Sequence, residues 1–162
     1  TMKEFGIKIT ENEALQFQME YIQNQQHIKP FPHIPEILEF LHSKKIQTII
    51  ITNGPSAHQR KKIRNLGLHH YFHPEEIIIS SEAKIAKPDI RIFELAEKRF
   101  GLKKEDSWLV GDHIQFDIFG ATNAGWNAIW LNHRKEPAPK IKPTKTFFST
   151  LELKDFLYGL CK

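Results

Sequence analysis

The sequence predicts an α/β fold: a Rossmann-like parallel sheet with helices on both faces. Three features predict it. Short apolar runs such as Ile46-Gln-Thr-Ile-Ile-Ile51 and Ile77-Ile78-Ile79 are β-branched and uninterrupted, as strands buried on both faces need. Stretches of helical periodicity separate them, which implies right-handed βαβ units. The strands also end in small polar segments, Thr52-Asn53-Gly54 and Gly111-Asp112, where open α/β sheets place their ligands.

The elements follow in order. Residues 1–29 are polar and helix-leaning. Glu13 to Ile28 carries Leu15, Phe17, Met19, Tyr21 and Ile22 at imperfect spacing, and Pro30-Phe31-Pro32 breaks it. Ile34, Ile37, Leu38 and Leu41 fall at i, i+3, i+4 and i+7, with Pro35 suited to a first turn. The strand Ile46–Ile51 comes next, then a helix opened by Pro55 and stopped by Gly67. A loop from Leu68 to Pro74 leads into the strand Ile77–Ile79. Asp89 caps a helix through Phe93, Ala96 and Phe100, which Gly101 ends. Trp108-Leu109-Val110 is a strand, and the helix behind it holds Ile114, Ile118 and Ala121 before Gly125. Asn127–Leu131 is another strand. Residues 133–145 hold three prolines and five basic residues and read as surface loop. A last short strand at Thr146-Phe147-Phe148 and a helix over Leu151–Leu160 close the chain.

Composition sets limits. The 162 residues suit one domain with a real core. No apolar run approaches the roughly 20 residues of a membrane helix, and the first ten residues lack a signal-peptide apolar core. Cys161 is the only cysteine, so no intrachain disulfide can form, which suits a reducing cytoplasm. The net charge is +4. Its densest basic run, Arg60-Lys61-Lys62-Ile63-Arg64, reads as the wet face of a helix whose apolar face carries Ile63 and Leu66. No aromatic residues interleave with it as a single-strand binder would want, so nucleic acid is not an expected partner, and the lack of a long apolar run argues against a membrane partner. His69, His70 and His73 lack a cysteine partner and read as solvated loop histidines.

The chemistry gathers at the strand ends. Asp112 and Asp117 repel one another unless a cation lies between them or one is protonated. A hard cation such as Mg²⁺ suits their oxygens. The plainer reading makes Asp112 a helix cap and Asp117 a solvated acid. Thr52 with its neighbouring amides, Lys87 and the acid pair make a set that suits a phosphate, through hydroxyl and amide donors, a point charge and a metal.

These residues resemble the haloacid dehalogenase-like (HAD) hydrolase superfamily from about Pro32 onward. Its second motif matches Ile-Ile-Ile-Thr52-Asn53-Gly54, its third matches Lys87 in Ala-Lys-Pro-Asp, and its fourth matches Gly111-Asp112 with Asp117. Each is weak singly, but together and in order they are strong. The resemblance implies that Thr52, Asn53 and Gly54 hold the phosphoryl group and that Lys87 bridges it to the nucleophile. It also implies that Asp112 binds Mg²⁺ with Asp117 in support, making Thr52, Lys87 and Asp112 the catalytic set. The implied activity is hydrolysis of small phosphorylated metabolites through a phospho-aspartyl intermediate. His113 departs from the small polar residue usual there.

One motif is missing. The family's nucleophile lies in an Asp-x-Asp at the end of a central first strand. The five aspartates here are Asp89, Asp106, Asp112, Asp117 and Asp155, and no two are separated by one residue. The expectation is therefore a helical cap remnant over 1–29 and a core over 30–162 that lacks its first strand. The strands ending at Thr52 and Gly111 should flank a slot. The rival expectation is a non-catalytic HAD-like binding or regulatory module, in which those two strands pair directly.

Overall fold

In the computed structural model, residues 10–24, 28–137 and 140–160 are described. The first helix, α1 (Glu11–Asn24), opens on a capping box. Glu13 N donates to Thr10 Oγ1 at 3.3 Å, and Thr10 N donates to Glu13 Oε2 at 2.7 Å. Leu15, Phe17 and Met19 on α1 are exposed. The Tyr21 and Ile22 side chains and residues 25–27 lie outside the described set. Helix α2 (Ile34–Ser43) has Pro35 in its first turn and buries Ile37 and Leu38.

The strands form two parallel half-sheets. Strand β1 (Ile50–Thr52) pairs with β2 (Ile77–Ile79), Ile51 opposite Ile78. Strand β3 (Trp108–Gly111) pairs with β4 (Asn127–Leu131), and β4 with β5 (Lys145–Phe147). The connecting helices are α3 (Ser56–Asn65), the short turn α4 (Ser80–Ala83), α5 (Ile90–Phe100), α6 (Phe119–Ala124) and the closing α7 (Thr150–Leu160). Asp89 caps α5 by accepting from Arg91 N at 3.0 Å.

Among the described residues, β1 and β3 do not pair with each other. A cleft of about 1040 Å³ runs between them, walled by Ile49–Ile51 on one side and Trp108–Gly111 on the other. Val110 is consequently 43 % exposed, although its sequence is that of a buried strand. The sequence placed a strand at Ile46–Ile51, but only Ile50–Thr52 is strand. Residues 46–49 lie along the cleft, and an extended segment joins a ladder only where a neighbour supplies hydrogen bonds. The last strand begins one residue earlier than expected, at Lys145. The loop expected over Leu68–Pro74 contains a 3₁₀ turn at Leu68–His70.

Helices on both faces hold the halves together. On one face, Ile51 and Ile78 share a core with Phe93, Ala96, Ile118, Ala121 and Trp130, joining both half-sheets to α5 and α6. On the other, α2 sends Leu38 into a cluster with Ile77 and Ile79, and Ile37 into one with Ile129 and Leu153. Adjacent residues of α2 thus grip opposite halves. No helix of the described residues is long and apolar enough to cross a membrane.

Candidate active site

The carboxyl ends of β1 and β3 face the cleft, and the polar residues gather there. Lys87 arrives from the segment before α5. Asn53 locks it in place: Asn53 Nδ2 donates to Lys87 O at 2.8 Å, and Lys87 N donates to Asn53 Oδ1 at 3.0 Å. The clamp joins residues 34 positions apart. The Lys87 ammonium donates to Ile51 O at 2.8 Å and to Asp117 Oδ1 at 2.6 Å. Both side chains of this ion pair are nearly buried, 11 % exposed for Lys87 and 10 % for Asp117.

Asp117 is not the solvated acid of the plainer reading. It sits in a single π-helical turn, Ile114–Ile118, where Ile118 N reaches back to His113 O at 3.3 Å. The wider turn aims Asp117 inward, a device common at functional sites. Its second oxygen accepts from His113 N at 3.1 Å. Gly111 makes the approach possible, because a Cβ there would lie 2.5 Å from the Asp117 side chain.

Asp112 does not cap the helix either. That position belongs to His113, whose Nδ1 accepts from Phe116 N at 3.3 Å and whose ring stacks on Phe116. This gives His113 a local structural role. Asp112 is half-exposed, its carboxylate 3.8 Å from the Arg134 guanidinium, and its carbonyl accepts from Trp130 Nε1 at 3.1 Å.

Lys87, Asp112 and Asp117 therefore line one cleft. Thr52 lies one residue past the cleft wall at Ile51, and its hydroxyl donates to Gln59 Oε1 at 2.9 Å. Gly54 N donates to Ser80 Oγ at 2.9 Å. Gln59, Ser80, Trp130 and the clamping role of the Asn53 side chain were not legible in the sequence. Only the fold brings them to the site.

Other expectations concern regions away from the cleft. Arg60 forms a two-pronged contact with Glu82, while Ile63 is buried, so the basic run is a wet helix face. His69, His70 and His73 are exposed beside a shallow pocket of about 390 Å³. Among the described residues, no group of three or more His, Cys, Asp or Glu is arranged to hold a metal ion. Asp106, Asp112 and Asp117 all line the cleft, and Asp112 and Asp117 are the two at the carboxyl end of β3.

Comparisons with known proteins bear on the family and the fold. A family model described as haloacid dehalogenase-like hydrolase matches residues 1–131. A glyceraldehyde 3-phosphate phosphatase of Methanothermobacter thermautotrophicus is 44 % identical over 105 residues, 65 % of this chain and 46 % of the relative. The pyrimidine 5'-nucleotidase YjjG of Escherichia coli is 41 % identical over 110 residues, 67 % of this chain and 48 % of its own length. The chain thus spans about half the length of the curated relatives it matches. Among solved structures, a HAD phosphatase from Thermococcus onnurineus superposes with a TM-score of 0.74 at 24 % identity, covering 98 % of this chain and 69 % of that one.

Proposed function

We propose that this chain, which belongs to the haloacid dehalogenase-like hydrolase family, is part of a Mg²⁺-dependent phosphatase acting on small phosphorylated metabolites in the cytoplasm. The observation that carries the reading is the placement of Lys87. A nearly buried ammonium, held by Ile51 O and Asp117 on a backbone that Asn53 clamps, stands at the carboxyl end of β1 and lines the same cleft as the half-exposed carboxylate of Asp112. Residues 1–29 belong, in this reading, to a helical cap, and the cleft between β1 and β3 takes the strand that bears the nucleophile.

The donor set suits a hard cation in part. Asp112 offers a half-exposed carboxylate, while both oxygens of Asp117 already accept hydrogen bonds. Asp112 would be the metal ligand and Asp117 its support, acting on Lys87 and the His113 amide. When bound, Mg²⁺ would offset the negative charge that builds on the transferring group.

The chain's own residues bind and orient. Lys87 lies where its charge favours an anionic phosphoryl group over solvent. The Thr52 hydroxyl turns its proton from Gln59 to a phosphoryl oxygen beside the Asn53 amide, and the Gly54 amide turns to it from Ser80 Oγ. An aspartate on the inserted strand attacks phosphorus and the ester P–O bond breaks. The second aspartic acid of that strand's Asp-x-Asp gives its proton to the leaving alcohol. Its carboxylate then takes a proton from water, which attacks phosphorus, breaks the acyl phosphate P–O bond, frees the first aspartate and releases inorganic phosphate. The relatives are named for different phosphoesters, and in this reading the choice of the substrate's organic part is left to the cap.

The test is binding of inorganic phosphate by the chain with Mg²⁺, followed by NMR. The amide signals of Thr52, Asn53 and Gly54 should shift together, and Lys87→Met should abolish the shift. Shifts confined to Arg60–Arg64 would contradict the assignment.

A further inference from the structure

Beyond β4 the chain makes a turn that is held from inside. Asn132 is only 3 % exposed. Its side chain donates to Glu136 O at 2.9 Å and accepts from Glu136 N at 2.8 Å. Lys135, in the left-handed region at φ 55°, donates from its amide to Asn132 O at 3.1 Å. Asn132 N donates to Phe147 O at 2.7 Å, which ties the turn to β5. A turn fixed in this way presents its outward side chains from a defined position.

Arg134 is the side chain it presents, and it stands between two acids. Its Nη2 is 3.8 Å from Asp112 Oδ2, and its Nη1 is 4.0 Å from Glu136 Oε1. Exposures are 67 % for Arg134, 50 % for Asp112 and 46 % for Glu136. Neither separation is a hydrogen bond. The guanidinium is balanced between two carboxylates and committed to neither.

We propose that Arg134 is a resident counter-cation of Asp112, which a divalent cation displaces toward Glu136. Arg134 thereby sets the metal affinity of the site. The inference rests on Asp112 being the metal ligand. A guanidinium and a divalent ion sharing one carboxylate repel each other, so Arg134 must yield when the ion binds. Glu136, on the same turn, is already at hand to receive it. The exchange alters no covalent bond and moves no proton.

The test is a Mg²⁺ titration of the full chain, read by the NMR signal of the Trp130 indole N–H, which donates to the Asp112 carbonyl at 3.1 Å. Arg134→Gln should tighten Mg²⁺ binding about threefold, the scale of one exposed ion pair. Glu136→Gln should weaken it about twofold, and by less when Arg134 is already Gln, since part of its effect acts through Arg134. Raising the salt should narrow the Arg134→Gln difference. If Asp112→Asn abolishes Mg²⁺ binding but Arg134→Gln leaves the affinity unchanged or weaker, this inference is overturned and the metal assignment stands. If Asp112→Asn leaves binding intact, the metal assignment falls and the inference with it.

Discussion

The Lys87–Asp117 pair puts charge where burial makes charge expensive. A buried ion pair seldom adds net stability, yet removing one partner strands the other. Asp117→Asn should therefore lower the unfolding free energy by about 3 kcal/mol in urea titration. The double replacement Lys87→Met with Asp117→Leu should regain most of that loss. If the single change costs nothing, the ammonium is not desolvated as described. Gly111→Ala forces a Cβ to within 2.5 Å of Asp117. It should cost about 1–3 kcal/mol in the same measurement, as overpacked sites do. At this scale the sequence offered candidate residues and left open how they partner. Spacing placed Thr52, Lys87, Asp112 and Asp117 at strand ends. The burial of Asp117 depends on a π turn, which leaves no mark in apolar periodicity. The two readings of the acid pair became distinguishable only once the His113 cap and the Lys87 contact were visible.

Among the elements, helices were read well because their caps and periodicity are local. Asp89 and Gly101 bound α5 as expected. The Arg91 guanidinium beside Asp89, together with the Arg91 amide, pulls the carboxyl down to about 2. A carboxyl lowered in the folded state stabilises fully above its unfolded value of about 3.9 and loses that effect as pH falls toward the folded value. The difference in Tm between the chain and Asp89→Asn should thus be widest above about pH 4 and close toward pH 2. A gap independent of pH would contradict this origin. Strands were read less well, because a strand needs a neighbour. Ile46–Ile49 has the right residues and lies along the cleft. Hydrogen exchange should show the same dependence. Amides of β4, paired on both sides, should exchange most slowly, and those of β1 and β3 beside the cleft should exchange sooner. Equal protection in β3 and β4 would mean that the cleft edge is covered.

For the whole molecule, the absence of an Asp-x-Asp and the edges of β1 and β3 that no strand among the described residues pairs point the same way. The first is a fact of sequence and the second a fact of topology, and neither required the other. Packing on both faces keeps the gap from closing: α2 spans it on one side, and the core around Phe93 spans it on the other. The central claim is that these residues form a phosphatase site whose nucleophile is carried by a strand in that gap. The most direct measurement is Mg²⁺-dependent hydrolysis of p-nitrophenyl phosphate by two proteins. One is the 162-residue chain, and the other is the same chain preceded by an apolar strand ending in Asp-x-Asp. The account predicts no hydrolysis by the first and hydrolysis by the second. The activity of the second should vanish when the first aspartate of the added motif becomes Asn, and fall sharply with Asp112→Asn. Turnover by the 162 residues alone would contradict the account, as would activity in the extended protein that survives Asp112→Asn.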